Sequence, residues 1–183
     1  MTELETILDI AANHLPAAGV ECLLIGGFAV NFYGYTRNTL DVDFLIVSEQ
    51  IELVKQRLMQ AGFTNVSIGE NVAFFSRPGS SLRVDFLRTD DGTMRTLLTH
   101  AGRATLHGYA VKIPSLKDLI AMKIFALSQN PAQRLGKDLP DIAYLSVLNN
   151  LDLETDLRPL CARFGTTESY ELIRTQIETL RAG

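Results

Sequence analysis

Two aspartates one residue apart, Asp41 and Asp43, lead into a run that turns wholly apolar at Phe44-Leu45-Ile46-Val47. Few folds accept that pattern. The run reads as a buried strand. Residues i and i+2 of a strand share a face, so both carboxylates converge on one spot while Val42 packs on the other side. Like charges on one face of a core strand are costly unless a cation joins them, and hard oxygen ligands suit Mg²⁺ or Mn²⁺. Upstream, Cys22-Leu23-Leu24-Ile25 reads as a second buried strand ending in Gly26-Gly27. A glycine pair permits a tight turn and close approach of backbone to a ligand. A helix opening at Phe28 would direct its first N–H groups over that turn, where a triphosphate fits.

A third acid stands in similar surroundings. Asp85 lies between Val84 and Phe86 in the stretch Leu82 to Leu87, the return strand of a hairpin whose first strand is Asn71 to Phe75. A buried aspartate needs a partner; Arg83, two residues earlier on the same face, is one candidate, and a shared metal is the other. Arg37, with Asn38 and Thr39, stands just before the carboxylate strand, as a site arginine or an exposed loop residue.

Strand, glycine pair, short helix and Asp-x-Asp strand together resemble the signature of the DNA-polymerase-β-like nucleotidyltransferase superfamily over residues 20 to 87. The resemblance implies an α/β (α+β) core with a small mixed sheet. It also implies that Gly26 and Gly27 contact nucleotide phosphates and that Asp41 and Asp43 hold a divalent metal. Asp85 would be the third ligand and the base that deprotonates the acceptor, with Arg37 near phosphate or acceptor. Further on, Ile113-Pro114-Ser115 leads into a helix bearing Lys123, followed by Lys137-Asp138-Leu139-Pro140-Asp141-Ile142. This order resembles the C-terminal part of AbiEii-type toxin nucleotidyltransferases, close to the lincosamide type. By that resemblance Lys123 and Lys137 contact phosphate and Asp138 and Asp141 steady them. The implied reaction moves a nucleoside monophosphate from an NTP to an acceptor hydroxyl or phosphate, with Mg²⁺ or Mn²⁺ as cofactor. The acceptor would be tRNA or another macromolecule, and a cognate antitoxin is an expected partner. An antibiotic-modifying enzyme with a small acceptor, and a silent member that binds only nucleotide or protein, are the alternatives.

Composition removes other classes. With 46% hydrophobic and 21% charged residues, the 183-residue chain can bury a core. No apolar run approaches the roughly twenty residues of a membrane span, and the acidic start Met1-Thr2-Glu3-Leu4-Glu5 lacks a basic leader region. A cytoplasmic protein without a membrane partner is expected. A net charge of −4 argues against non-specific duplex binding. Cys22 and Cys161 read as separate buried thiols. His14, His100 and His107 show no metal-ligand spacing, and no P-loop or dinucleotide-binding glycine motif occurs.

The remaining pattern predicts helices over 2–18, 48–59, 93–101, 116–128, 137–148, 154–164 and 167–181, and a strand over 109–113. Ser48 is the expected cap of the second of these helices, and 129–131 an expected loop. A nucleotidyltransferase core over 1–114 and a C-terminal helical bundle over 115–183, packed on it, follow.

Overall fold

The structure, a computed structural model, describes residues 1–183. It divides into two compact units, Met1–Ala29 with Arg37–Ser115, and Val30–Thr36 with Leu116–Gly183.

The first unit opens with α1 (Glu3–Asp9), continued by a π-helical segment over Ile10–His14 and a last turn, α2 (Leu15–Ala17). The Thr2 hydroxyl accepts from the Glu5 N–H while the Glu5 carboxylate accepts from the Thr2 N–H, a reciprocal cap worth about 1 kcal/mol. Pro16 lies inside the final turn and does not end the helix. A proline there lacks an N–H and crowds the carbonyl four residues back, and the wider π geometry before it accommodates both.

There follow β1 (Cys22–Ile25), α3 (Gly26–Phe32), β2 (Asp41–Val47), α4 (Ile51–Gln60), β3 (Asn65–Ile68), β4 (Val72–Ser76), β5 (Arg83–Thr89) and α5 (Asp91–His100). A hairpin of β6 (Gly102–Leu106) and β7 (Tyr109–Ile113) closes the unit. The five-stranded sheet has the order β1-β2-β5-β4-β3. Only β2 and β5 run parallel; a parallel pair needs a long crossover, and α4, β3 and β4 make it.

Alternation decides which face is dry. Val42, Phe44, Ile46, Ala73, Phe75, Val84 and Phe86 are buried. Phe86 stacks on Phe44 at 5.4 Å and meets Phe75 edge-on at 5.8 Å. On this side Cys22 Sγ donates to the Ala11 carbonyl at 3.6 Å, so the N-terminal helix covers it. The opposite face carries Asp41, Asp43, Arg83, Asp85, Phe74 and Ser76.

Three details depart from the sequence pattern. Ser48 does not cap α4: its hydroxyl donates to the Thr89 carbonyl at 3.1 Å, and a 3₁₀ turn over Ser48–Gln50 starts the helix. Strands β3 and β6 carry no apolar alternation because β3 is an exposed edge and β6 half of a two-stranded hairpin.

The second unit is helical: α6 (Leu116–Gln129), α7 (Pro131–Arg134), α8 (Asp138–Leu148), a π turn over Leu153–Leu157 running into α9 (Arg158–Phe164), and α10 (Thr167–Ala182). The expected loop at 129–131 yields to α7, because proline suits the first position of a helix. Ile124, Leu127, Ile142, Leu145, Ile173 and Ile177 fill the core of this unit. The segment 30–36 belongs to it through Tyr35, whose ring stacks on Tyr144 at 4.3 Å, and through Asn149 Nδ2, which donates to the Tyr33 carbonyl at 3.0 Å.

Cys22 and Cys161 are buried and unbridged; burial pushes their thiols up to about 12 and about 11. No helix is long and apolar enough to cross a membrane.

Candidate active site

The site is set by the register of the parallel pair. Asp43 stands opposite Asp85, and Asp41 opposite Arg83. All four residues share the face away from the phenylalanine cluster. Three acids and one arginine from two adjacent strands therefore meet on a patch two residues long.

The glycine pair fits this patch for a packing reason. Gly26 has φ +64°, and a Cβ there would lie 1.9 Å from Asp43 Oδ2. The carboxylate occupies the space that any other side chain would take, and its Oδ2 is buried. At Gly27 a Cβ would lie 2.7 Å from the Thr39 Oγ1 and Cβ. The Thr39 hydroxyl in turn donates to the Asp41 carbonyl at 3.1 Å. Each glycine is thus matched to the approach or the body of the acidic strand.

Arg83 is the hub. Its Nε donates to Asp85 Oδ1 at 2.7 Å and its Nη2 to Asp85 Oδ2 at 2.8 Å, a two-pronged pairing. The same Nη2 donates to Asp41 Oδ2 at 3.2 Å. The guanidinium also lies over the Phe74 ring, 4.8 Å from its centre. Burial raises the pKa of Asp85, the Arg83 hydrogen bonds and charge oppose the rise, and the neighbouring Asp43 and Asp41 add to it. The bond to Asp85 holds the Arg83 pKa above its ordinary value.

The donor set, three carboxylates without a softer ligand, suits a hard divalent cation. As the side chains stand, no three His, Cys, Asp or Glu residues are arranged to hold a metal ion. Both oxygens of Asp85 are engaged by Arg83.

Beside Asp85 the face continues as a shelf. Asn65, Val66, Ser67, Phe74, Phe75, Ser76 and Arg83 line a cavity of about 240 Å³. Phe74 is the β4 neighbour of Asp85, and Ser67 the β3 neighbour of Phe74. Apart from Arg83, none of these residues stood out in the sequence. Period two puts Phe74 and Ser76 on one face, but only strand pairing shows that the face is that of Asp85.

The other sequence-indicated residues are placed as follows. Arg37 is half-buried in the segment between α3 and β2, its Nη1 donating to the Asn38 carbonyl at 3.4 Å. Lys123 and Lys137 belong to the helical unit. The Lys123 ammonium is buried, 2.9 Å from Asp138 Oδ1 and 2.7 Å from Asp141 Oδ2. Arg134 Nη1 lies 3.5 Å from Asp138 Oδ2. Lys137 is exposed at the start of α8. The aspartates therefore hold Lys123 directly.

Solved structures share the fold. An antigenic nucleotidyltransferase-like protein from Paracoccidioides brasiliensis superposes with a TM-score of 0.57 at 24% identity, covering 96% of this chain and 92% of that one. The antibiotic-resistance factor ANT(2")-Ia, in complex with adenylyl-2"-tobramycin, gives 0.56 at 14% identity, with 97% and 99% covered. The lincosamide adenylyltransferase LnuA, lincomycin-bound, gives 0.54 at 14% identity, with 81% and 98% covered. No curated protein matches the sequence. A family profile described as nucleotidyl transferase AbiEii toxin, type IV toxin–antitoxin system, matches residues 11–182, and the chain, an α/β nucleotidyltransferase by fold and by sequence, belongs to that family.

Proposed function

We propose that this nucleotidyltransferase moves a nucleoside monophosphate from an NTP to a hydroxyl or phosphate on an RNA acceptor, releasing pyrophosphate. The observation that carries the reading is the register of β2 and β5, which sets Asp41, Asp43 and Asp85 side by side on one face. Asp41 and Asp43 would hold Mg²⁺ or Mn²⁺, with Asp85 as the third ligand. A dication bound there would neutralise charge on the α-phosphate and on the departing pyrophosphate. Asp85 would take the proton of the attacking hydroxyl; a pKa raised by burial makes it a stronger base than an exposed carboxylate.

The backbone of Gly26 and Gly27 would receive the distal phosphates, and Arg37 would meet phosphate or acceptor. In the helical unit, Lys137, exposed, and Lys123, already committed to two aspartates, are proposed phosphate-contacting residues by the family resemblance. Asp138 and Asp141 hold the latter in place.

The shelf favours RNA over a cationic drug. Its lining offers two aromatic rings, an amide, two hydroxyls and one arginine, with no carboxylate. A polycationic acceptor needs acids, whereas a nucleoside stacks on a ring or guanidinium plane and hydrogen-bonds to amide and hydroxyl groups. The family description, a toxin of a type IV toxin–antitoxin system, supports a cognate antitoxin as the proposed protein partner; the cytoplasm is the proposed setting.

The test is incubation with each labelled NTP, Mg²⁺ or Mn²⁺, and total bacterial RNA, set against lincosamide and aminoglycoside acceptors. Label on RNA in the wild type but not in Asp43→Asn is expected. Label on a drug alone would overturn the RNA acceptor, and no transfer to any acceptor would overturn the activity.

A further inference from the structure

We propose that Arg83 is the resident counter-cation of the carboxylate patch, a latch that a divalent ion must displace before Asp85 can serve the reaction. The inference rests on the metal-site reading above and adds to it a residue that competes with the metal.

Three observations carry it. The first is identity of atoms: Arg83 engages Asp85 Oδ1, Asp85 Oδ2 and Asp41 Oδ2, the same oxygens that a hard dication would coordinate. A dication there would compete with the guanidinium for the lone pairs of these oxygens and repel its charge. The second is an asymmetry of mobility. The Asp85 side chain is 7% exposed on a central strand, whereas the Arg83 side chain is 46% exposed at the first residue of β5. The acid stays where the sheet puts it; the arginine is long, flexible and half in solvent. The third is a place to go. The Phe74 ring lies under the guanidinium at 4.8 Å, and Arg83 itself lines the cavity beside it. A released Arg83 keeps its cation–π contact and faces the proposed acceptor shelf.

The arrangement also answers a question of charge. Three carboxylates on one patch repel one another. With Arg83 across two of them, the patch is tolerable to the folded chain and the third ligand is withheld from stray cations.

The test uses the metal alone, without nucleotide. Mn²⁺ binding is measured by electron paramagnetic resonance for wild type, Arg83→Gln and Arg83→Lys. Removing the competitor tightens Mn²⁺ binding by about fivefold in Arg83→Gln. Arg83→Lys, which keeps the charge and loses the fork, falls between the two. Metal-free Arg83→Gln melts below wild type and gains more from Mg²⁺. In wild type, the Arg83 Nε–H resonance in a ¹⁵N spectrum shifts and exchanges faster as Mg²⁺ is added, a readout that needs no variant to fold. Equal or weaker Mn²⁺ binding by Arg83→Gln, or an Nε–H signal unmoved at saturating Mg²⁺, would overturn the latch alone. Failure of both proteins to bind Mn²⁺ would overturn the metal site and the latch with it.

Discussion

Asp43 and Gly26 behave as one unit. Asp43→Asn removes a charge at nearly constant volume, and nucleotidyl transfer is expected to fall by about two orders of magnitude or more. Metal-free stability should stay level or rise, because repulsion from Asp41 is relieved. Gly26→Ala is expected to cost more than the roughly 1–2 kcal/mol of a left-handed residue, since its methyl lands on Asp43 Oδ2. In an Asp43→Ala background the excess should shrink without vanishing, because the remaining Cβ would still lie 2.7 Å from the new methyl, and urea denaturation of the four proteins gives the coupling. Asp85 makes a pH prediction. Its folded pKa is raised, so the folded protein holds that proton more tightly than the unfolded chain. The stability it contributes is full below the ordinary carboxylate range and is lost as pH rises through the raised value. Melting temperature of Asp85→Asn relative to wild type should therefore climb across that interval and level off above it; a difference falling with pH would contradict the assignment.

Among elements, α6 and α8 are tied by a buried charge cluster. Lys123→Ala leaves Asp138 and Asp141 without their shared cation, and breaking a buried pair in this way costs about 3–5 kcal/mol. Chemical denaturation measures it, and a Lys123→Met, Asp138→Asn, Asp141→Asn triple variant should recover much of the loss. Lys123 also illustrates what was legible. An isolated lysine in Leu119–Leu127 reads as snorkelling to solvent or reaching into a cleft to meet phosphate; the helix geometry that instead pairs it with Asp138 and Asp141 lies beyond local pattern. The acids on β2 were visible because strand period is two and Phe44–Val47 is apolar. That Asp43 stands level with Asp85 depends on the register of a parallel pair whose strands lie far apart in sequence, which no local pattern encodes. The reach of Arg83 across to Asp41 was hidden for the same reason. Strands β3 and β6 were missed because polar edges carry no alternation. In the sequence Gly27 reads as a phosphate-facing turn residue; Thr39 packed against it means that a side chain there also disturbs the approach to Asp41.

For the molecule as a whole, nucleotide and metal together should act as a stabilising ligand. At a hundredfold excess over Kd the gain is about 2.7 kcal/mol, visible as a higher melting temperature in wild type and absent in Asp43→Asn. Equal stabilisation of both would argue against the carboxylate site. The interruption of the first unit by residues 30–36 also bears on biosynthesis. Tyr33 lies 116 positions ahead of Asn149, which binds its carbonyl. A ribosome adding roughly 5–20 residues per second takes on the order of ten seconds to cover that distance. The strands bearing all three aspartates leave the ribosome first, while Val30–Thr36 waits for helices not yet made. A single cut near residue 115 therefore could not yield two finished halves, because the later one would lack a piece made long before it.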